Sequence, residues 1–361
     1  MKKLVWILLA LLLCGCGHAQ PETATTAPIE TTSAPTESTH APTMAPTTEP
    51  ETQPQPEHFT LTFVGDCTFG SNMANWYAPY GFILTVGENF DYPFQNVLEY
   101  FENDDFTMIN LEGPLCDQGN PVQKKHTFRG PSSYVNFITK NSIEAVTLAN
   151  NHTLDYGKSG YSTTMETLET AKVPYVTENS TAIVTTESGL TIGIYAAVYN
   201  SWDREDLKAD VAALREQGVD LVIYAVHWGT EGSYRPVNNQ AELAYEAIDA
   251  GVDIVYGSHP HVLQKVEEYN GGIIYYSLGN FCFGGNLYPR DLDSAILQQE
   301  VIREPDGTVC LGELTMIPCS ISSIPVRNNF QPTPYEPGTE EYDRVMSKLT
   351  GTFAGNDLKI S

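Results

Sequence analysis

Five apolar runs in this chain each open into a polar cluster rich in metal-binding side chains, and that recurrence narrows the possible folds sharply. The runs lead into Gly65-Asp66, Asn110-Leu111-Glu112, Asn150-Asn151-His152, His227 and, after Val252 to Tyr256, Gly257-Ser258-His259-Pro260-His261. In an open α/β sheet, ligands bind at the carboxyl ends of the strands. One Asp, one Glu, one Asn and four His therefore have a reason to meet at one edge. Helical patterns near 94–102, 132–140, 159–171, 203–217 and 239–250 lie between the runs, so the order up to Tyr256 predicts βαβ units and the α/β class. The later runs, Ile273 to Leu278, Ala295 to Ile302 and Val309 to Ile317, have hairpin-like connections such as Pro305-Asp306-Gly307 and read as antiparallel.

The amino end reads as an export segment. Met1-Lys2-Lys3 precedes the apolar stretch Leu4 to Leu13, and about ten residues are too few for a bilayer that needs about 20. Leu13-Cys14-Gly15-Cys16 resembles the bacterial lipobox, which would make Cys16 the diacylated first residue of the mature chain. Two acyl chains hold a protein at a membrane stably. From 17 to 57 nearly every residue is Thr, Pro, Ala, Glu, Gln or Ser, without apolar periodicity. Such a segment cannot offset its ordering entropy and reads as a disordered tether, able to reach up to ~100 Å. The expected organisation is a leader and lipobox at 1–16, a tether at 17–57 and a single folded domain at 58–361, held on the extracytoplasmic side of a cell membrane.

Charge and cysteines exclude several classes. The formal net charge is −26, with 45 acidic against 19 basic residues, and no basic cluster exists to hold nucleic acid. Recognition of an anion must then come from a local metal or a few basic groups. Beyond the export segment, Cys67, Cys116, Cys282, Cys310 and Cys319 form no CxxC pair, which argues against a disulfide framework and a thiolate zinc site. One bridge, such as Cys310–Cys319, stays open; buried thiols are expected for most.

Each site candidate also has an ordinary structural role open to it. Asp66 after a strand suits a turn or a helix cap, and Asn150, Asn151, His152 and Asp155 suit a polar loop. His227 at the end of an apolar strand suits a hydrogen-bonded core histidine. Glu112 is different, because a carboxylate ending a strongly apolar run needs a cationic partner when buried. His259 and His261, two apart in an extended segment, would face the same way. Together the set offers nitrogen and oxygen donors without thiolates, which suits Mn, Fe or Zn, as one or two ions.

The order of these motifs resembles the calcineurin-like metallophosphoesterase superfamily and, within it, the CapA/PgsA-type poly-γ-glutamate capsule synthesis family. The residues that carry the resemblance are Val64-Gly65-Asp66, Asn110-Leu111-Glu112-Gly113, Ala149-Asn150-Asn151-His152 with Asp155 and Gly157, His227-Trp228-Gly229 with Glu231, Gly257 to His261, and Ser277-Leu278-Gly279-Asn280-Phe281. The resemblance implies a metallophosphatase-like β-sandwich flanked by helices, in αββα layers. It implies Asp66 and His261 on a first divalent metal, Glu112 bridging, and Asn151, His227 and His259 on a second. His152 with Asp155 would carry the proton chemistry, and Asn110, Asn150, Glu231 and Asn280 would orient the ligands. Thr68 stands where the superfamily has a His, which leaves the first site weakened, rebuilt by a group such as Glu231, or empty. The implied partners are an anionic surface polymer, poly-γ-glutamate or a relative, and its membrane-embedded synthesis machinery. Two other readings stay open: a general surface metallophosphoesterase, and a polymer-binding scaffold without catalysis.

Overall fold

The computed structural model describes residues 54–198, 204–237 and 239–359. The predicted leader, the lipidation candidate Cys16 and nearly all of the predicted tether lie outside the described residues. In chain order the strands are β1 (Glu57–Val64), β2 (Asp66–Thr68), β3 (Phe106–Asn110), β4 (Ala145–Thr147), β5 (Tyr175–Val176), β6 (Ser180–Thr185), β7 (Thr191–Val198) and β8 (Leu221–His227). They continue as β9 (Ile254–Ser258), β10 (Val266–Tyr269), β11 (Gly272–Tyr275), β12 (Asn280–Phe283), β13 (Asp293–Arg303), β14 (Val309–Ser320) and β15 (Thr333–Pro334). The helices are α1 (Phe82–Val86), α2 (Leu98–Glu102), α3 (Asn136–Thr139), α4 (Gly157–Ala171), α5 (Arg204–Glu216), α6 (Gln240–Asp249) and α7 (Glu340–Leu349).

The strands form a seven-stranded sheet, β15-β14-β13-β1-β3-β4-β5, and a six-stranded sheet, β10-β11-β9-β8-β7-β6. Strand β8 shows why these layers form. Leu221, Ile223 and Ala225 enter one apolar cluster with Leu61, Phe63, Met108 and Leu297 of the other sheet. The alternate residues Val222, Tyr224 and Val226 join a second cluster with Leu207, Val211 and Leu214 of α5 and Leu243 and Ala247 of α6. Both faces of the strand are covered, so it reads as a continuous apolar run. On the outer face of the seven-stranded sheet, Val64, Ile109 and Val146 pack with Phe82, Phe101 and Leu168 of α1, α2 and α4. The result is the expected α/β sandwich of two sheets between helices.

Parallel pairing brings the carboxyl ends of β1, β3 and β4 side by side in one sheet, and those of β8 and β9 in the other. A two-stranded ladder of β2 and β12 sits just beyond them, pairing Asp66 with Asn280. Gly65 permits this closure, because a Cβ there would lie 2.3 Å from the Gly279 carbonyl oxygen.

Two expectations change. The run Ile273 to Leu278 is not simply antiparallel: β11 runs parallel to β9 and forms its hairpin with β10, a polar strand that shows no apolar alternation. A Cys310–Cys319 bridge is excluded, since both lie along β14, roughly 30 Å apart at strand rise. The described cysteines are free, and Cys67, Cys116, Cys282 and Cys319 are buried.

Candidate metal centre

Asp66, Glu112 and His261 meet at the open end of the sandwich with one ligand atom each inside a 4.8 Å sphere of mutual distance. Both carboxylates are fully buried. Asp66 is well supplied: Asn110 Nδ2 donates to Oδ1 at 2.9 Å, and His261 Nδ1 lies 3.2 Å from Oδ2. Glu112 is not. Its Oε2 accepts weakly from Asn110 Nδ2 at 3.4 Å, while Oε1 is buried with no hydrogen bond. Oε1 faces His152 Nε2 at 3.7 Å and His261 Nε2 at 3.6 Å, beyond hydrogen-bond range. Burial pushes the Glu112 carboxyl above its usual range, against the attraction of His261. Burial works against the His261 cation too, yet Glu112 and Asp66 override it and raise the imidazole. A buried, unpartnered carboxylate oxygen is costly unless a cation completes it.

The second half of the cluster is imidazole-rich. His227 Nδ1 lies 2.8 Å from Ser258 Oγ, which is oriented towards the Val226 carbonyl at 3.4 Å. His227 Nε2 lies 3.2 Å from Asn151 Oδ1, which brings these two side chains to one point of the cleft. The His259 ring packs 4.6 Å from His227, and its Nδ1 is buried without a partner. Burial, with His259 next, holds His227 well below its usual range, and burial with His261 lowers His259 to about 4. Both are therefore neutral near pH 7, the form that ligates metal. Glu231, exposed at the rim, forms a second group with His259 and His261 within the same 4.8 Å limit. The residues present thus fit one or two divalent cations.

Side-chain amides tie the strand ends together. Asn150 Nδ2 donates to Asn110 Oδ1 at 3.0 Å, and Asn150 Oδ1 receives the His152 amide at 3.1 Å. Asn280 Oδ1 lies 2.9 Å from His261 Nδ1, so its side chain orients this imidazole while its backbone pairs with Asp66. His152 Nδ1 sits 2.6 Å from Asp155 Oδ2, which also receives the Phe128 amide at 2.7 Å. This leaves His152 Nε2 directed at Glu112. Burial lowers the His152 imidazole, and Asp155 opposes that fall. The backbone of His259 and His261 carries positive φ, +97° and +57°, conformations rare for side chains of this size. Such strain persists where surrounding structure holds it, and it clusters at functional sites.

The profile described as bacterial capsule synthesis protein PGA_cap matches residues 60–285. The chain belongs to this family. It is 30% identical over 283 residues to the capsule biosynthesis protein CapA of Bacillus anthracis, covering 71% of this chain and 66% of that protein. It is 29% identical over 272 residues to the PGA biosynthesis protein CapA of Bacillus subtilis, covering 69% of each. The matches thus span about two thirds of each relative. Among solved structures, the NAD nucleotidase of Haemophilus influenzae superposes with a TM-score of 0.42 at 12% identity, over 85% of this chain and 65% of that one. A likeness this loose adds nothing to the sheet topology seen directly.

The family motifs converge: Asp66, Asn110, Glu112, Asn150, Asn151, His152, Asp155, His227, Glu231, His259, His261 and Asn280 all border one cluster. Arg235 does not. It pairs with Asp357 at 3.5 Å and donates to the Phe353 and Gly355 carbonyls, tying down the chain's end. Sequence reading missed Lys124, whose Nζ donates to the Asn151 carbonyl at 2.7 Å and lies 3.2 Å from Asp155 Oδ1. It also missed Phe128, whose ring lies 4.3 Å from that of His152. Both come from a loop without periodicity, and the only signal was a Lys-Lys-His run in an acid-rich chain.

Proposed function

We propose that this chain is an extracytoplasmic accessory protein of capsule polymer assembly, tethered through Cys16, that acts on poly-γ-glutamate or a related anionic polymer at one or two bound divalent cations. The observation that carries the metal reading is the buried, unpartnered Glu112 Oε1 beside Asp66 and His261. The family match and the CapA relatives supply the polymer context, and the sequence of residues 1–16 supplies the anchor.

Asp66, Glu112 and His261 would hold one ion, and Asn151, His227 and His259 the other, with Glu231 closing the rim in place of the absent first-motif histidine. Such ions activate water and polarise a phosphoryl or acyl oxygen. The chain's own contribution lies in His152. Asp155 fixes its ring through Nδ1, so Nε2 is the atom that delivers a proton to a leaving group. Phe128 covers the ring and limits water access. Thr68 at the first-motif position favours one second reading, a scaffold that keeps the fold without catalysis.

Plasma mass spectrometry on the full-length chain, purified without chelator, tests the assignment. Near two metals per chain, falling in Glu112→Ala and His261→Ala, supports it. No metal in the parent would falsify the metal reading and leave the scaffold.

A further inference from the structure

The stretch Asp117 to His126 is polar, broken by Gly119 and Pro121, and exposed at every residue, a loop by composition. Nothing packs there to hold a lysine still, and fixing a lysine side chain costs rotamer entropy. Lys124 is held nonetheless. Its Nζ donates to the Asn151 carbonyl oxygen at 2.7 Å, and it lies 3.2 Å from Asp155 Oδ1 and 3.3 Å from His152 Nδ1. The Lys124 side chain is 32% exposed and that of Asp155 only 1%, so the ammonium reaches from the surface to a carboxylate that solvent hardly touches.

Asp155 spends all its acceptors on this arrangement. Its carbonyl oxygen accepts from the Val122 amide at 2.9 Å, Oδ1 faces Lys124, and Oδ2 accepts from the Phe128 amide at 2.7 Å. His152 Nδ1 shares Oδ2 at 2.6 Å. An ammonium has donors and no acceptor, so the Nδ1 proton of His152 goes to Asp155 and not to Lys124. With Oδ1 taken by Lys124, the carboxylate is fixed with Oδ2 towards the imidazole. At its other contact, Lys124 holds the carbonyl of the residue whose own Oδ1 stands 3.2 Å from His227 Nε2. One ammonium thus ties down two residues of the turn between β4 and α4, one on each side of His152. A partly exposed ion pair adds little to stability, so these contacts matter for where they place Asn151 and Asp155.

We propose that Lys124 is a positioning residue for both halves of the centre, setting Asn151 against the second ion and Asp155 against His152. This rests on the metal reading of the cleft. The full-length chain is compared as parent, Lys124→Met, Lys124→Arg and, as control, Lys125→Met from the same exposed loop. Manganese binding is followed by equilibrium dialysis. The His152 ring is followed by nitrogen-correlated NMR of the chelator-treated protein, its signal identified by loss in His152→Gln. In the parent two ions bind and the ring proton sits on Nδ1. Lys124→Met weakens one ion about tenfold or more and moves the ring signal towards the other tautomer. Lys124→Arg restores most of both, and Lys125→Met matches the parent. The backbone bonds of Val122 and Phe128 hold the loop without the lysine, so the thermal midpoint of Lys124→Met stays close to the parent's; Lys124→Gln replaces it if it does not fold. Parent-like manganese affinity or a parent-like ring signal in Lys124→Met overturns the proposal, as does an equal loss in Lys125→Met, which would reduce Lys124 to general charge. A parent that takes up no manganese overturns the metal reading and with it the Asn151 half, while a ring signal that still moves in Lys124→Met keeps the Asp155 half.

Discussion

Gly65 shows how much of the centre depends on a single missing atom. The residue sits between β1 and β2, where the chain turns from the sandwich into the cleft. An added Cβ would meet the Leu278 and Gly279 carbonyl oxygens at 2.6 and 2.3 Å. Those atoms are backbone, so neither can rotate away. Gly65→Ala is expected to cost about 3 kcal/mol, read as a lower denaturation midpoint. It should also lower metal content, because the displaced segment carries Asp66 on one side and Asn280 on the other. A variant with unchanged midpoint and full metal would show that this close approach is not required.

At the scale of elements, α7 anchors the end of the domain through a buried ion network. Thr339 caps its first turn by accepting from the Tyr342 amide, and Glu340, Glu341 and Asp343 match the positive end of the helix dipole. Lys348 in the last turn is buried, with Nζ 2.6 Å from Asp291 and 2.8 Å from Asp293. Lys348→Ala removes one partner and leaves the carboxylates buried, with Arg344 still on Asp293. The expected loss is about 3 kcal/mol in urea unfolding; a loss below about 1 kcal/mol would show that solvent already screens the network. Sequence reading did not place this helix, although Tyr342, Val345, Met346 and Leu349 stand at i, i+3, i+4 and i+7 and form its inward stripe. Long apolar strands such as β8 were legible since both faces pack. Short strands β2, β10 and β12 were not, since their identity comes from the partner they meet: β2 exists only because Asn280 and Phe283 pair with Asp66 and Thr68. The cluster itself was legible for a related reason. Its ligands end strands, and strand ends are where an apolar run visibly stops.

For the molecule as a whole, pH and divalent cations act on the same excess of acid. Asp104, at the entry to β3, has its carboxyl pushed up to about 7, first by burial and then by Glu144 and Asp105, against hydrogen bonds from Thr107 and Thr62. The folded state holds this proton more tightly than the unfolded chain, whose ordinary value is 3.8. Its contribution is therefore complete below about pH 4 and is lost as pH rises towards about 7. Asp104→Asn should remove that slope, so the parent-minus-variant difference in thermal midpoint becomes more negative from pH 4 to 7. A difference that stays flat over that window would contradict the burial of this group.

Divalent cations should act in the opposite sense at the cleft. Asp66, Glu112 and Glu231 converge there in a chain of net charge −26, and the geometry that brings them together exists only when β1 pairs with β3 and β8 pairs with β9 in the facing sheet. An ion that binds the folded state alone adds RT ln(1 + [L]/Kd), about 2.7 kcal/mol at a hundredfold excess over Kd. Spread over a domain of this size, that amounts to a rise of several degrees in thermal midpoint. Manganese or zinc should give this rise in the parent and chelator should reverse it. Sodium chloride at matched ionic strength should not reproduce it, because general screening does not depend on a formed cleft. His261→Ala is the decisive comparison, since His261 belongs to both ligand groups. If the midpoint of that variant still rises with manganese or zinc as the parent's does, the stabilising ion sits elsewhere on the acidic surface, and the cleft loses its claim to it.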